Sequence, residues 1–344
     1  FGDTPLLTAE SLGDMSTIKT ATGVDILVSG FEPKRPGKYK YGRLILDGDG
    51  PLIKQIVESS DATPEQLAIN YFNGGIMMFN AQLMRELLND LQPNNSQNEY
   101  YLTDCVELAN GKGKSVGAIP LPEDDVRGVN TRAQLADVDK ILQKRIKKDH
   151  MLSGVTMRDP DSVYICADTK LGADVVLEPH IVFGRDVEIG EGATIKAFSY
   201  IEQSKIAARA SIGPFARLRP AANIEEGAKI GNFVEVKKST IGKGAKVSHL
   251  TYIGDAEIGE NANIGAGTIT CNYDGYKKSK TVIGAGAFVG SDTSFVAPVT
   301  LGAGAITAAG SVVTKDVPAD ALVVGRGQQK LFEGWAAKFR KKNS

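Results

Sequence analysis

Arg219 in "FARLRP" and Lys237 in "FVEVKKS" stand eighteen residues apart. Arginine offers phosphate oxygens a planar fork and lysine offers a point charge, so the two brought together would clamp a phosphate. An ion pair with Glu235 or Glu225 is the alternative use of the same side chains, and spacing does not separate the two. His249 in "SHLTYIGD" lies a few residues from Tyr252, Asn263 and Asn272. An imidazole takes up a proton near neutral pH, which suits a general base, although a satisfied structural histidine is the plainer reading. The sequence has 3 histidines, His150, His180 and His249. His150 falls in a charged helical stretch, which argues against the three converging imidazoles of a zinc site. At the other end, Asp3 in "FGDTPLL" reads as the exit of a buried strand, where an α/β enzyme places a metal-binding carboxylate.

Two kinds of element must position these groups. From Gly23 to about Ile119, strand-like runs ("VDILVSGF", "GGIMMFN") alternate with a helical one, "AQLMRELLNDL", whose Leu83, Met84, Leu87, Leu88 and Leu91 share one face. This is an α/β pattern. A long helix follows at roughly 131–150, with Leu135, Val138, Ile141, Leu142 and Ile146 on one stripe and a proline just beyond it.

Beyond it the period changes to six. Ile206, Ile212, Leu218, Ile224, Ile230 and Val236 form one series and Ile283, Val289, Phe295 and Leu301 another. Ile241, Val247, Ile253, Ile258 and Ile264 link them with two five-residue steps, and Val176, Val182, Ile189, Ile195 and Ile201 begin the pattern. Units such as "IGEGAT", "IGKGAK" and "IGAGAF" are hexapeptide repeats, the mark of a parallel β-helix. Three short strands make a triangular coil of eighteen residues, and small residues let it turn at the corners. At roughly 4.8 Å per coil the span from Val176 to Val317 predicts about eight coils and a prism near 38 Å long. Thr270 to Thr281 ("TCNYDGYKKSKT") fits no hexad and is expected to be extruded as a loop. The end, "QQKLFEGWAAKFRKKNS", reads as an amphipathic tail that either caps the solenoid or helps close a site. The "GENANIGAGTITCNYDG" stretch is no phosphate-binding loop, since its glycines follow the hexads; Asn263 and Asn272 fit either a site or an asparagine stack.

A net charge of -1 gives no field that would draw nucleic acid or an anionic membrane, and no stretch approaches ~18 consecutive apolar residues. The 3 cysteines, Cys105, Cys166 and Cys271, are widely spaced and read as packing residues. A cytoplasmic enzyme is the expectation.

The segments "GPFARLRP", "GNFVEVKKS", "SHLTYIGDAEIG" and "NIGAGTITCNYDG" resemble the bacterial bifunctional N-acetylglucosamine-1-phosphate uridyltransferase / glucosamine-1-phosphate acetyltransferase family. So do "GDTPLL", "YGRLI", "IVE", "NGGIMMF", "EYYLTD" and "GVNTRAQL" in the first half. The resemblance covers essentially the whole chain. It implies an α/β plus all-β protein: the C-terminal part of a Rossmann-like uridyltransferase domain (1–130), a linking helix (131–150), a left-handed parallel β-helix acetyltransferase domain (151–327) and a tail (328–344), assembled as a homotrimer. Family members begin with a Gly-rich loop and basic residues that bind the nucleotide triphosphate, and these lie outside the 344 residues. The expectation is therefore a chain lacking the N-terminal part of the uridyltransferase domain, with the uridyl step lost. The extra length in "GFEPKRPGKYKYGRL" loosens the correspondence around Gly42.

Carried over by position, the resemblance makes His249 the general base, with Arg219, Lys237, Tyr252 and Asn263 on the sugar phosphate. Acetyl-CoA would meet Ala266, Asn272, Tyr273, Ser291, Ala309 and Arg326, with Lys278 on the extruded loop. Asp3 and Asn130 would hold Mg²⁺, and Phe1, Gly2, Gly42, Glu58 and Asn73 would line the nucleotide-sugar pocket. The implied reactions are acetyl transfer from acetyl-CoA to glucosamine-1-phosphate and, in the full-length family, uridyl transfer from UTP, supplying precursors of peptidoglycan and lipopolysaccharide. Two other readings remain: a hexapeptide acyltransferase acting on an amino acid or lipid precursor, against which a phosphate clamp speaks, and a non-catalytic regulatory subunit, which would not need His249, Tyr252, Asn263 and Asn272 together.

Overall fold

The computed structural model describes residues 2–34 and 40–343. The chain divides into two compact units, Phe1–Leu142 and Gln143–Ser344. No helix among the described residues is long and apolar enough to cross a membrane.

The first unit is built on a mixed five-stranded sheet of β1 (Ile26–Phe31), β2 (Arg43–Leu46), β3 (Ile53–Val57), β4 (Phe72–Phe79) and β5 (Val116–Pro120), in the order β3-β2-β4-β1-β5. β1 runs parallel to β5 and antiparallel to β4, and all six of its residues are buried. Such two-sided burial is why it reads as a continuous apolar run. The helix Ala81–Asp90 starts at Asn80, whose Oδ1 accepts from the amides of Gln82 and Leu83. It buries Leu83 and Leu87, while Leu88 turns outward, so its apolar stripe is narrower than the spacing suggests. A helix at Ala9–Thr22 precedes the α/β pattern read from sequence. Met15 is fully buried there but Leu12 is exposed, too thin a stripe to announce it.

In the second unit three faces wind into a β-solenoid. Among the described residues an eight-stranded sheet forms face C, and a 17-stranded sheet wraps faces A and B, with Lys229–Lys237 and Lys246–Gly254 running over both. The core column of face A runs Ile230, Val247, Ile264, Val289, that of face B Leu218, Val236, Ile253, and that of face C Ile224, Ile241, Ile258, Ile283. All of these are buried. The early register differs from the sequence reading: Leu177 and Phe183 fill the core, while Val182 is exposed and Val176 half-buried. In "VL" and "VF" either residue could point inward; an unbroken six-residue step back from Ile201 selects Leu177 and Phe183. The core also begins a turn earlier, with Val155, Met157, Val163 and Ile165, where no Gly-rich hexad advertises it.

Corner chemistry also departs from expectation. Between faces A and B the turns are made by Phe198, Phe215, Phe233 and Leu250, all at φ of 50 to 60°. Side chains rarely adopt this left-handed conformation, and here ladder bonds on both sides impose it. The rings of His180, Phe198, Phe215 and Phe233 stack at centroid spacings of 4.8, 4.8 and 5.2 Å, which follow the strand spacing. The extruded loop is shorter than the sequence suggests, because Thr270, Cys271 and Thr281 belong to strands Ile269–Cys271 and Thr281–Ile283. Cys271 is exposed and not a packing residue, since Thr270 takes the inward position of that strand. The tail helix Trp335–Asn343 is exposed throughout, with Trp335 stacked on Phe339 at 5.1 Å, so it does not cap the solenoid.

One helix, Arg132–Leu152, ends the first unit and opens the second. Val138 is buried and Leu135 exposed. From Gln143 onward it seals the first turn of the solenoid. Gln143 donates to the Ile165 carbonyl at 2.8 Å and accepts from the Ile165 amide at 2.9 Å, while Lys147 Nζ donates to the Pro160 carbonyl at 2.6 Å. Gln143→Leu leaves both main-chain groups of Ile165 buried without partners. It should lower the unfolding free energy of the second unit by about 2 kcal/mol, read from the urea midpoint. A midpoint equal to that of the parent would show that the pair carries no stability.

Candidate active sites

In the first unit a cavity of about 860 Å³ is lined by Asp3, Gly42, Glu58, Asn73 and Asn130 together with Tyr41, Thr103 and others. Gly2 does not line it, and Phe1 lies outside the described residues. A Cβ at Gly42 would come within 3.3 Å of Glu58 Oε2 and 3.2 Å of Ile56, so a bare backbone is what lets the carboxylate stand there. Burial raises the Glu58 carboxyl above its ordinary value, while a hydrogen bond from Thr103, at 3.1 Å, acts the other way. Asn73 donates its amide to the Gly42 carbonyl at 2.9 Å and accepts from the Gly75 amide at 3.0 Å. Asp3 and Asn130 share this cavity, and the Val129 amide donates to the Asp3 carbonyl at 2.8 Å. Among the described residues no group of three or more His, Cys, Asp or Glu could cage a metal. One carboxylate and one amide oxygen do fit Mg²⁺, which commonly takes one or two protein oxygens and completes its octahedron with phosphates and water.

On the solenoid the candidate residues fall on two corners that border face B. At the B/C corner, the Arg219 amide donates to the Val236 carbonyl at 2.9 Å, which sets Arg219 beside Lys237 on the next coil. Arg219 Nη1 donates to Glu235 at 2.7 Å, so the ion-pair use is realised, with Glu235 and not Glu225; the Glu225 carboxylate accepts from the Lys243 amide. That bond raises the arginine's pKa and holds one arm of the fork. Lys237 lies under the opposite influence. The neighbouring Lys278 ammonium, and then the charge of Arg219, push its pKa below the ordinary lysine value. Three cations thus converge on one corner, and like charges brought together in this way favour an anion between them.

Beside this cluster, Lys237 pairs with Gly254, where an added Cβ would strike the Tyr252 hydroxyl and stand 2.8 Å from Asn272 Nδ2. Gly254 is therefore the floor on which Tyr252 and Asn272 meet. Asn272 Nδ2 donates to Asp255 Oδ2 at 2.6 Å, tying the base of the extruded loop to the coil. Beyond it Tyr273 and Lys278 bridge across the loop.

The A/B corner carries the other group. Strand pairing aligns Ile230, Val247, Ile264, Val289 and Thr307 on successive coils, so the residues two places further on form a column: Asn232, His249, Ala266, Ser291, Ala309. Main-chain bonds continue it, from the Asp292 amide to the Ala266 carbonyl at 2.7 Å and from the Gly310 amide to the Ser291 carbonyl at 2.8 Å. Arg326 closes it, donating Nη1 to the Ala309 carbonyl at 3.0 Å. The bulky corner ladder ends at Leu250; the next corner residue is Gly267, beside which the Asp292 carboxylate lies, and in the column above His249 Ser291 and Ala309 are exposed. His249 is exposed, and its Nδ1 contacts Asn232 Oδ1 at 2.8 Å.

The structure thus brings His249 together with Ala266, Ser291, Ala309 and Arg326, and separately brings Arg219 and Lys237 together with Tyr252, Asn272 and Lys278. Asn263 stands on face A, paired with Lys246. Within one chain the two groups are apart: His249 and Gly254, the rung partner of Lys237, are five residues apart on one strand, up to roughly 16 Å at 3.2–3.4 Å per residue. Asn232 and Asp255 were not singled out from the sequence. The five-residue steps shorten those coils, so Asn232 lies seventeen residues before His249, and counting by eighteen lands on Gly231.

No family model matches the chain. A bifunctional protein GlmU from Jannaschia sp. (strain CCS1) is 49% identical over 340 residues, covering 99% of this chain and 74% of that protein. Its counterparts from Azorhizobium caulinodans and Agrobacterium fabrum are each 48% identical, over 340 and 342 residues, covering 99% of this chain and 75% and 74% of their own lengths. The chain therefore spans about three quarters of these relatives. Among solved structures, a UDP-N-acetylglucosamine acyltransferase from Francisella novicida has a TM-score of 0.44 at 17% identity, covering 49% of this chain and 67% of that one. Near-half identity over almost its whole length shows that the chain belongs to the bifunctional GlmU family, and it is a transferase of the acetyl- and nucleotidyl-transferring kind.

Proposed function

We propose that this chain moves the acetyl group of acetyl-CoA onto the amine of glucosamine-1-phosphate, giving N-acetylglucosamine-1-phosphate and free CoA. The observation that supports this most directly is the A/B corner column, in which a solvent-facing imidazole continues into an open lane of small residues ending at an arginine. In this reading acetyl-CoA lies along Ala266, Ser291 and Ala309 with Arg326 on its phosphates. The Arg219, Lys237 and Lys278 cluster takes the sugar phosphate, and Tyr252, Asn263, Asn272 and Tyr273 make the remaining contacts. His249 removes a proton from the amine as nitrogen attacks the thioester carbonyl; the C–N bond forms, the C–S bond breaks, and the thiolate leaves and is protonated. General-base help of this kind contributes typically 10²–10⁴-fold.

In the nucleotidyl unit, Asp3 and Asn130 would hold Mg²⁺, which when bound neutralises phosphate charge. Gly42, Glu58 and Asn73 line the same cavity and would contact the nucleotide sugar. In the full-length family the product of the acetyl step is the acceptor for the uridyl step, which puts the acetyl transfer of this chain one reaction before UDP-N-acetylglucosamine, in the cytoplasm.

His249 and the cation cluster sit on opposite borders of face B, with His249 five residues along its strand from the rung partner of Lys237. We therefore place the complete acetyl-transfer site between copies of the chain, the base from one and the clamp from its neighbour, in a homotrimer packed side by side along the triangular prisms.

With acetyl-CoA and glucosamine-1-phosphate the protein should release free thiol, and with glucosamine lacking the phosphate it should release far less. His249→Ala should lower kcat at least 100-fold with KM for the sugar phosphate within threefold. Equal rates on the two sugars, or an unimpaired His249→Ala, would overturn the assignment. Lys237→Ala and His249→Ala, each weak alone, should regain activity when subunits are exchanged between them, because mixed oligomers contain corners with both groups intact. Exchange without any gain would mean that each site is built within one chain.

A further inference from the structure

We propose that Asn232 is a positioning residue that fixes the tautomer of His249. This rests on the reading of His249 as the general base and assigns the group that prepares it. Asn232 and His249 are paired rungs of adjacent parallel strands, Lys229–Lys237 and Lys246–Gly254. Each is followed at once by the corner residue, Phe233 at φ 56° and Leu250 at φ 50°. Both strands therefore bend at the same level, and the two side chains leave the edge side by side, one strand spacing apart. Asn232 Oδ1 lies 2.8 Å from His249 Nδ1.

An amide oxygen has lone pairs and no hydrogen, so this contact is a hydrogen bond only if Nδ1 carries the proton. Neutral imidazole has a single N–H, and placing it on Nδ1 leaves Nε2 with the free lone pair. Nε2 is the nitrogen farther from the backbone, and the column above it opens where Leu250 gives way to Gly267. The imidazole is thus held with its basic nitrogen outward, toward the lane in which the thioester would lie. With Nε2 protonated instead, the ring could accept no proton there. The strand itself anchors the ring's backbone, since Thr251 Oγ1 donates to the His249 carbonyl at 2.6 Å. Orientation and tautomer therefore have separate causes, and Asn232 supplies the second.

The test is ¹⁵N NMR of the imidazoles in the full chain, above the pH at which they are charged. The chain has 3 histidines, so comparison with His249→Gln assigns the signal. The parent should show His249 protonated on Nδ1 with a bare Nε2. Asn232→Ala should shift the population toward Nε2–H and lower kcat about tenfold while KM for glucosamine-1-phosphate stays within twofold. Asn232→Asp, which keeps an acceptor in place, should retain the Nδ1–H tautomer and keep kcat within threefold of the parent. An Nε2–H signal in the parent, or an unchanged tautomer in Asn232→Ala, overturns the assignment of Asn232 whatever the activities are. An Nδ1–H parent together with a fully active His249→Ala would instead sink the general-base reading and leave the tautomer assignment standing.

Discussion

The parallel main-chain ladder between coils is the constraint on which the rest of the second unit depends. Each coil is held on the one before it by amide-to-carbonyl bonds and by an aliphatic residue stacked on its counterpart, so a side chain's place along the prism is decided by its offset from that residue. Two places past the face A core residue always means the A/B corner. This is how Asn232, His249, Ala266, Ser291 and Ala309, spread over almost eighty residues, come to share one edge. A one-residue slip would turn the aliphatics outward and break the column together with the core. Stability and the site are therefore specified by the same contacts.

The two borders of face B use this regularity for different chemistry. One is nearly neutral and open, with an imidazole in its line. The other gathers Arg219, Lys237 and Lys278, a local concentration of positive charge that lowers the pKa of Lys237 and is balanced within the chain only in part, by Glu235 on one arm of Arg219 and by the charge of Asp255. Like charges gathered in this way favour an anion between them, which is what the proposed sugar-phosphate clamp requires. In the first unit burial does comparable work on Glu58, held against bare backbone at Gly42.

The solenoid was legible because its period leaves a trace at every sixth residue, and Arg219 and Lys237, a full eighteen apart, could be matched by counting. Counting failed where the coil length changed. The five-residue steps hid the pairing of Asn232 with His249, and the loop after Cys271 hid the alignment of Ala266 with Ser291. The left-handed corner conformation of Phe198, Phe215, Phe233 and Leu250 was not legible, because it is imposed by tertiary ladders against local preference. Nor was the sealing role of Gln143, which looks like any polar helix residue until the strand edge it satisfies is known. In the α/β unit the fully buried β1 was plain, while the helix Ala9–Thr22, held by Met15, Ile18 and the bonds of Thr8 and Ser11 to Asp125, was not.

Hydrogen–deuterium exchange with and without acetyl-CoA distinguishes the A/B corner, the proposed acetyl-CoA lane, from the other corners of the solenoid. The ligand should slow exchange at residues 265–267, 290–292 and 308–310, three separate segments that meet only on the A/B corner. The C/A corner of those coils, at 259–261, 284–286 and 302–304, should be unchanged. Protection of the C/A corner, or none on the A/B column, would rule out acetyl-CoA binding along the A/B corner.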